Sequence, residues 1–199
     1  MDIATQIGPG LAKAALVAKI NGELRDLNFE INEDCDIELL TGDNPEGHSV
    51  LLHSAAHLLA QAVKHYWPNA KLTIGPAIDN RFYYDFDLDT TFSDEDLVKL
   101  ESRMMQLSKK NFPCVRCELT RSEAYNKFKE MGEDYKLEIL NDIKDDELIT
   151  SYTQGDFIDL CRGPHVPSTG SIKYFKLLNT SGAYWRGNEN NKMLQRIYG

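Results

Sequence analysis

Two histidines, His53 and His57, stand four residues apart in an apolar stretch, and a distant segment pairs Cys161 with His165 over the same spacing. Residues four apart lie on one side of a helix, so the first pair predicts a helix that presents both imidazoles together. The second segment contains a Gly-Pro step, which predicts a loop. A fold that joins this loop to that helix gathers three imidazoles and one thiol. Such a cluster can bind zinc or transfer protons around an acyl centre.

At 199 residues the chain has room for one or two domains. Its hydrophobic content of 42% is ordinary for a globular protein, so a core of useful size is available. No stretch approaches the ~20 apolar residues of a membrane span, and no leader peptide opens the chain. The cysteines Cys35, Cys114, Cys117 and Cys161 are too scattered for a disulfide framework. These features predict a cytoplasmic protein with reduced thiols and no membrane partner.

The net charge of −9 does not indicate a general nucleic-acid-binding protein. The charge is uneven, however, because residues 160–199 carry six basic side chains and a single acidic one, Glu189. A polyanion would therefore meet this part of the chain first. A solvated basic strand face is the alternative interpretation.

The chain divides into a small N-terminal unit, a linker and a larger domain. Asn21-Gly22 between two apolar runs predicts a type I′ hairpin within residues 1–41, a segment that is short for an independent domain. Residues 42–46 are rich in turn formers and predict the linker. Residues 47–199 form the larger domain, whose first helix carries the histidines and stops before Pro68. Strands and helices mix without βαβ alternation, so an α+β fold with a largely antiparallel sheet is expected.

Several apolar runs near the C-terminus predict strands, at Phe157–Leu160, Lys173–Leu178, Ala183–Trp185 and Met193–Tyr198. Cys114 and Cys117 match a zinc or redox spacing. Residues three apart in a strand point to opposite faces, and the alternation here places Cys117 in the core and Cys114 outside. A metal shared by these two sulfurs is therefore not expected.

Other polar side chains near these motifs have open interpretations. Asp159 lies two residues before Cys161 and shares its face in a strand, where a carboxylate could orient an imidazole. Lys136, taken alone, is most simply a solvated charge on a short helix. Tyr83 and Tyr84 belong to an aromatic run typical of a core, yet a phenol beside a polar pocket can donate a hydrogen bond.

Six segments occur in an order that is shared with a known family. They are His53-Ser54-Ala55-Ala56-His57-Leu58-Leu59, then Ile74-Gly75-Pro76-Ala77-Ile78-Asp79-Asn80 with Phe82-Tyr83-Tyr84-Asp85, then Tyr135-Lys136-Leu137-Glu138-Ile139-Leu140, Asp159-Leu160-Cys161-Arg162-Gly163-Pro164-His165-Val166-Pro167, Gly182-Ala183-Tyr184-Trp185-Arg186-Gly187 and Asn191-Lys192-Met193-Leu194-Gln195-Arg196-Ile197-Tyr198-Gly199. Through them nearly the whole chain resembles the N-terminal region of bacterial threonyl-tRNA synthetases.

The resemblance implies a partial β-grasp (TGS) domain at 1–41 and an editing domain at 47–199, which in this family hydrolyses seryl-tRNA made in error. The class II catalytic core, with its ATP and zinc sites, is expected to lie beyond this chain. The chain is therefore interpreted as an N-terminal fragment that does not charge tRNA by itself. Its implied partners are the acceptor end of tRNA(Thr), the serine moiety and the rest of the synthetase, whose full form is expected to be a homodimer.

The resemblance also implies the residues of the site. The catalytic set is His53, His57, Lys136, Asp159, Cys161 and His165. Residues that line the substrate pocket are Tyr84, Gly75 and Tyr83. Residues that contact tRNA are Arg162, Arg186 and Lys176. The interpretation of Lys136 as a solvated charge is thereby reversed.

A second sieve is needed because one methyl group separates threonine from serine by only ~1–3 kcal/mol. Lys136 with His53 or His165 is expected to activate water or stabilise charge, while His57 and Asp159 hold the arrangement and Cys161 shapes the pocket floor. Which histidine is the base stays open at this point.

Two alternatives to this hydrolysis remain. Editing in the family is expected to need no metal, but zinc held by His53, His57, Cys161 and His165 would match the related editing domains of alanyl-tRNA synthetases. The other alternative is a non-catalytic appendage that binds the tRNA acceptor end.

Overall fold

The computed structural model describes residues 2–199, and within them no helix is both long and apolar enough to cross a membrane. The helices are α1 (Asp2–Ile7), α2 (Pro9–Ala14), α3 (Pro45–Tyr66), α4 (Asp94–Lys110), α5 (Arg121–Glu130) and α6 (Asp134–Asp142). The strands are β1 (Ala15–Ile20), β2 (Glu23–Arg25), β3 (Ile37–Thr41), β4 (Lys71–Leu72), β5 (Ala77–Ile78), β6 (Arg81–Asp87), β7 (Cys114–Leu119), β8 (Ile149–Gln154), β9 (Phe157–Leu160), β10 (Asn179–Tyr184) and β11 (Met193–Tyr198).

These strands form three antiparallel sheets. The first has the order β2-β1-β3, the second β10-β11-β6-β4 with β5 also paired to β6, and the third β7-β8-β9. The predicted α+β class with largely antiparallel sheets is confirmed. The histidine-bearing helix, α3, packs against β6 of the second sheet and against α4.

The N-terminal sheet contains the predicted hairpin. Asn21 and Gly22 both have positive φ, 48° and 87°, as a type I′ turn requires. Leu16, Val17 and Leu40 join the main hydrophobic core, while Ala15, Ala18 and Leu27 form a small cluster of their own. The N-terminal unit is therefore packed onto the rest of the chain, while the division into residues 1–41, 42–46 and 47–199 stays a prediction.

Helix α3 begins at Pro45, within the segment 42–46 that the sequence predicts as the linker. The Asn44 side chain accepts hydrogen bonds from the backbone of Glu46 and Gly47, and Pro45 is the first helical residue. From Ser54 to Val63 every side chain is buried, because sheets and helices cover the helix on all sides. A polar side chain on this part of α3 must therefore find its partners inside the protein.

The predicted strand at Lys173–Leu178 is wrong. Glu101 of α4 accepts from the Leu177 backbone N–H at 2.7 Å and pairs with the Lys176 ammonium at 2.9 Å. These side-chain contacts replace a strand ladder, and Tyr174 in the same segment is 93% exposed. The strand begins only at Asn179, so the predicted strand at Ala183–Trp185 covers little more than its end.

The predicted orientation of the Cys-x2-Cys pair is also wrong. Cys114 is 8% exposed and belongs to the main core, whereas Cys117 is half-buried. The reason lies at the start of β7, where the Cys114 N–H donates to the Pro167 carbonyl at 3.0 Å and the loop after β9 covers the residue.

Candidate active site

Side chains from three separate parts of the chain meet at one cavity of about 420 Å³. Helix α3 contributes His53 and His57, α6 contributes Lys136, β9 contributes Asp159, and the following loop contributes Cys161. The segment after β4 closes one side, and apolar residues of α6 and its following loop close another. The cavity therefore combines an apolar wall with a compact group of ionisable side chains, as small-molecule sites commonly do.

The partners of His53 determine which of its nitrogens carries the proton. Its Nδ1 lies 3.0 Å from the carbonyl oxygen of Gly75, and its Nε2 lies 3.0 Å from the Cys161 Sγ. Because a carbonyl oxygen can only accept, Nδ1 carries the hydrogen in the neutral ring. The lone pair on Nε2 therefore points towards the thiol and the cavity.

His165 has the same tautomer for a related reason. The Ser54 hydroxyl donates to the Val50 carbonyl at 2.8 Å, so it accepts from the His165 Nδ1 at 3.0 Å. The Nε2 of His165 then faces the Cys161 Sγ at 3.3 Å. The Nε2 lone pairs of His53 and His165 both face the Cys161 thiol, which has only one hydrogen to donate. One of the two imidazoles can therefore accept a proton from another group.

Burial keeps the cluster neutral. It lowers the pKa of His53, and it lowers the pKa of His57 and of His165 well below the ordinary value, with the neighbouring imidazoles adding to the effect. Burial also raises the pKa of the Cys161 thiol to about 12. At neutral pH the three rings are therefore uncharged proton acceptors, and the sulfur is a thiol rather than a thiolate nucleophile.

Lys136 is 2% exposed, and its ammonium is surrounded by acceptors. Nζ donates to the Thr73 carbonyl at 2.6 Å and to the Tyr84 hydroxyl at 3.2 Å, and it lies 2.6 Å from Asp159 Oδ1. Tyr84 in turn donates to Asp159 Oδ2 at 2.6 Å, and His57 Nδ1 is 3.7 Å from the same oxygen. A buried cation, its paired carboxylate and a neutral base therefore share one small space.

The pocket residues expected from the sequence have different locations. Gly75 lines the cavity, whereas Tyr84 lies behind Lys136 and Asp159 and is fully buried. Tyr83 is outside the cluster, since it points to the other face of β6 and lies under the Arg196 guanidinium at 3.7 Å. His165 also lies behind the cavity wall.

The three basic side chains expected at tRNA are dispersed. Arg162 lies at the mouth of the cavity, and its side chain is 77% exposed although it pairs with Glu147 at 2.6 Å. Arg186 pairs with Asp142, and Lys176 pairs with Glu101, both away from the cavity lining. Of the three, Arg162 alone is next to the ionisable group.

Sequence reasoning missed two residues that position the cluster. Ser54 orients His165 and also accepts from the Val166 backbone N–H at 3.1 Å, and its place beside His53 in the chain was the available signal. Thr73 contributes only its carbonyl to Lys136, so its side chain carries no sequence signal for this contact.

The same cluster could hold a metal ion. Potential ligand atoms of His53, His57, Cys161 and His165 all lie within 4.8 Å of one another, and residues 2–199 contain no other such group of three or more. Two of the rings donate Nδ1–H to outside acceptors and direct Nε2 inwards, as metal-binding histidines do. The donor set therefore fits a soft divalent cation such as zinc.

Acidification should destabilise the fold well before the carboxylates titrate. The folded-state pKa values of His53, His57 and His165 lie below the unfolded value of about 6.5, so the unfolded chain binds more protons as the pH falls below 6.5. The free energy of unfolding should then drop by up to about 1.4 kcal/mol per pH unit for each imidazole. Urea denaturation between pH 7.5 and 5.5 measures this slope.

Removal of one buried imidazole tests the cause of that slope. His165→Asn should reduce the dependence of the free energy of unfolding on pH. An unchanged slope in this variant would show that the buried imidazoles are not the cause.

Comparison with known proteins identifies the class. Residues 1–41 match the TGS domain, and residues 149–198 match the second additional domain of threonyl and alanyl tRNA synthetases. The chain therefore combines two domains found in aminoacyl-tRNA synthetases. It is 56% identical over 198 residues to the threonine--tRNA ligase of Pelobacter propionicus, 55% over 198 to that of Clostridium tetani and 53% over 199 to that of Hahella chejuensis.

Each of these alignments covers 100% of this chain and 31% of the relative. The chain is homologous over its whole length to bacterial threonine--tRNA ligases and carries two of their domains, and it spans about a third of the length of these curated relatives. The resemblance seen in the sequence is thereby confirmed.

Proposed function

We propose that this chain is the editing module of a threonyl-tRNA synthetase, which hydrolyses the ester of seryl-tRNA(Thr) and spares threonyl-tRNA(Thr). The observation that carries the proposal is the Lys136 ammonium, which is buried in the cavity wall beside Asp159 and a neutral His53. Ester hydrolysis needs a proton acceptor for water and a positive group for the developing oxyanion, and this cavity offers both.

In the proposed step His53 is the general base. It lines the cavity with an unprotonated Nε2, whereas His165 lies behind Cys161. The thiol faces both Nε2 atoms, and in this step it donates its hydrogen bond to His165 while His53 Nε2 receives the proton of the water. The water oxygen bonds to the ester carbon while its proton passes to His53 Nε2. The Lys136 ammonium turns one N–H away from its present acceptors, which are the Thr73 carbonyl, the Tyr84 hydroxyl and Asp159, and donates it to the oxyanion. The ribose oxygen then leaves with that proton, which gives serine and free tRNA. Cys161 is a thiol here and forms no acyl intermediate.

Selectivity is proposed to come from exclusion. A pocket that accommodates threonine would also accept serine, because one missing methyl costs only ~1–3 kcal/mol. An editing site has the opposite selectivity, because serine fits the pocket whereas the extra methyl group of threonine clashes with the pocket wall. The buried part of the cavity wall, which includes His57, Thr73 and Lys136, is suited to such steric rejection.

The remaining partners are proposals as well. Arg162, exposed at the mouth, is placed to meet a phosphate of the acceptor end, and Lys176 and Arg186 would add charge only after leaving their present ion pairs. The ATP site, the structural zinc and the homodimer contacts are assigned to the remainder of a full-length synthetase in the cytoplasm.

We propose that editing here needs no metal, because Lys136 already provides the positive charge beside the reacting ester. If zinc is held, His53, His57, Cys161 and His165 would bind it, and the ion would supply Lewis acidity. That reaction is the second candidate, and it is favoured only by the fit of the donor set.

Chelator-treated protein should release serine from seryl-tRNA(Thr) roughly 100-fold faster than threonine from threonyl-tRNA(Thr), because rejection by clash exceeds what one methyl contributes to binding. His53→Ala should slow serine release by about 10²–10⁴-fold, since it removes the proposed base. Single-turnover deacylation measures both effects, with the exposed His65→Ala as the matched control.

Each other outcome selects an alternative. If the protein holds one zinc ion per chain tightly and loses activity on chelation, the zinc-dependent reaction is favoured over the metal-free one. Tight binding of tRNA(Thr) without any hydrolysis would favour the acceptor-end appendage.

A further inference from the structure

A carboxylate of the N-terminal unit reaches the active-site loop. Asp26 follows β2, and its Oδ1 accepts from the backbone N–H of His165 at 2.9 Å, 139 residues further along the chain. Its Oδ2 accepts from the Tyr152 hydroxyl at 2.7 Å. Asp26 does not line the cavity, so both of its contacts are to the protein scaffold.

The loop from Cys161 to His165 has other contacts close to Cys161, where the Thr150 hydroxyl donates to its carbonyl, the Gly163 N–H donates to its sulfur and the exposed Arg162 pairs with Glu147. At its start the Cys161 N–H donates to the Thr150 carbonyl of β8 at 3.1 Å, and directly after it the Val166 N–H donates to α3 at 3.1 Å. Between these two points the N–H of His165 finds its acceptor in Asp26. The Ser54 hydroxyl orients the His165 ring, and the Asp26 carboxylate holds the backbone that carries this ring.

Tyr152, the second partner of Asp26, packs beneath the same loop. Its ring centre lies 4.3 Å from that of His165. Its hydroxyl oxygen occupies the space of a side chain at Gly163, where a Cβ would come within 2.0 Å, and Gly163 has a φ of +71°. By fixing this hydroxyl, Asp26 supports the loop from below as well as through its backbone.

The His165 ring transmits this support to the rest of the cluster. Its centre is 4.3 Å from the His57 ring and 4.6 Å from the His53 ring, and its Nε2 faces the Cys161 sulfur. A shift of His165 must therefore displace a neighbouring ring or the thiol, because the His165 ring itself is buried against them.

We propose that Asp26 is a positioning residue, which holds the Cys161–His165 loop against the imidazoles and makes the N-terminal sheet a structural part of the active site. The kinetic part of this inference rests on the proposed hydrolysis. The geometric part concerns the loop alone and can be tested without substrate.

Asp26→Ala should lower kcat for serine release by about 10–100-fold and change KM little, because a misplaced cluster slows chemistry while Asp26 touches no substrate. The released loop should also expose Cys161, whose alkylation by iodoacetamide, followed peptide by peptide with mass spectrometry, should accelerate several-fold. Asp26→Asn should recover most of both properties, since its amide oxygen accepts from His165 and its NH₂ donates to the Tyr152 oxygen. Asp34→Ala, on an exposed acid of the same unit, is the control.

Wild-type values of kcat and of Cys161 alkylation in Asp26→Ala would overturn the inference. If the unaltered protein releases no serine, the proposed function fails, and the alkylation rates still decide whether Asp26 holds the loop. If Asp26→Ala does not fold, Tyr152→Phe replaces it, because that change removes only the hydroxyl contact. It should shift both measurements in the same direction by a smaller factor, and unchanged values would overturn the inference equally.

Discussion

Replacing Lys136 with methionine should nearly abolish serine release and also destabilise the fold. The substitution keeps much of the volume but removes the cation that lies 2.6 Å from Asp159 Oδ1. The carboxylate, 1% exposed, would keep its Tyr84 partner and lose its counter-charge. Breaking one half of a buried pair costs about 3–5 kcal/mol, and losing the oxyanion partner should slow hydrolysis by about 10²–10⁴-fold. Urea denaturation and single-turnover deacylation measure the two effects.

Two further variants separate charge from structure. Adding Asp159→Asn to Lys136→Met removes the stranded charge, so stability should partly return while activity does not. Lys127→Met, on the exposed face of α5, should change stability by less than about 0.5 kcal/mol. Deacylation by Lys136→Met at a rate within twofold of the unaltered protein would refute the assigned role of the ammonium.

Gly75→Ala should damage the site through sterics alone. An added Cβ would lie 2.2 Å from Cδ2 of the Tyr84 ring. That ring is fully buried and tied to Asp159 through its hydroxyl, so the backbone of Gly75 has to move instead. Its carbonyl, the acceptor for His53 Nδ1, moves with it. We expect a loss of about 1–3 kcal/mol in stability and roughly 100-fold slower serine release, measured by the same two assays.

Gly10→Ala is the matched control for that change. Gly10 lies in α2 with no atom within 4 Å of an added Cβ, so the substitution should be neutral or stabilising by up to about 1 kcal/mol. If Gly75→Ala behaved like Gly10→Ala in both urea denaturation and deacylation, the close approach of Gly75 to Tyr84 would not matter for stability or activity.

The spacing of residues reveals part of the site before any coordinates are known. The helix that bears His53 and His57 follows from their spacing of four in an apolar stretch, and the Gly-Pro loop at Cys161 follows from composition. Lys136 is different, since a lysine on a nine-residue helix looks solvated until the Thr73 carbonyl and Asp159 are placed beside it. Only the resemblance to a family indicated its importance, because burial here is a tertiary property.

The failures of sequence reasoning have one physical cause in common. The segment at Lys173–Leu178 has the composition of a strand. However, the carboxylate of Glu101, which belongs to α4, accepts from the Leu177 N–H and pairs with the Lys176 ammonium. Asp26 follows a short strand in a small sheet. The residues around it in the sequence do not indicate that its carboxylate accepts a hydrogen bond from a loop far along the chain. Contacts between distant side chains decide both cases, and periodicity within one segment does not report them.

Contacts at the start of α6 fix the number of residues that can separate Glu133 from Lys136. Glu133 is buried, binds the Lys64 ammonium at 2.7 Å and accepts from the Leu72 N–H at 2.8 Å, which pins the first turn to α3 and β4. Lys136 follows three residues later, and each helical residue adds about 100° of rotation and 1.5 Å of rise. One residue inserted between Glu133 and Lys136 would rotate the Lys136 amine away from the cavity. Insertions at the exposed positions 145–146, which follow the helix, would leave its orientation unchanged.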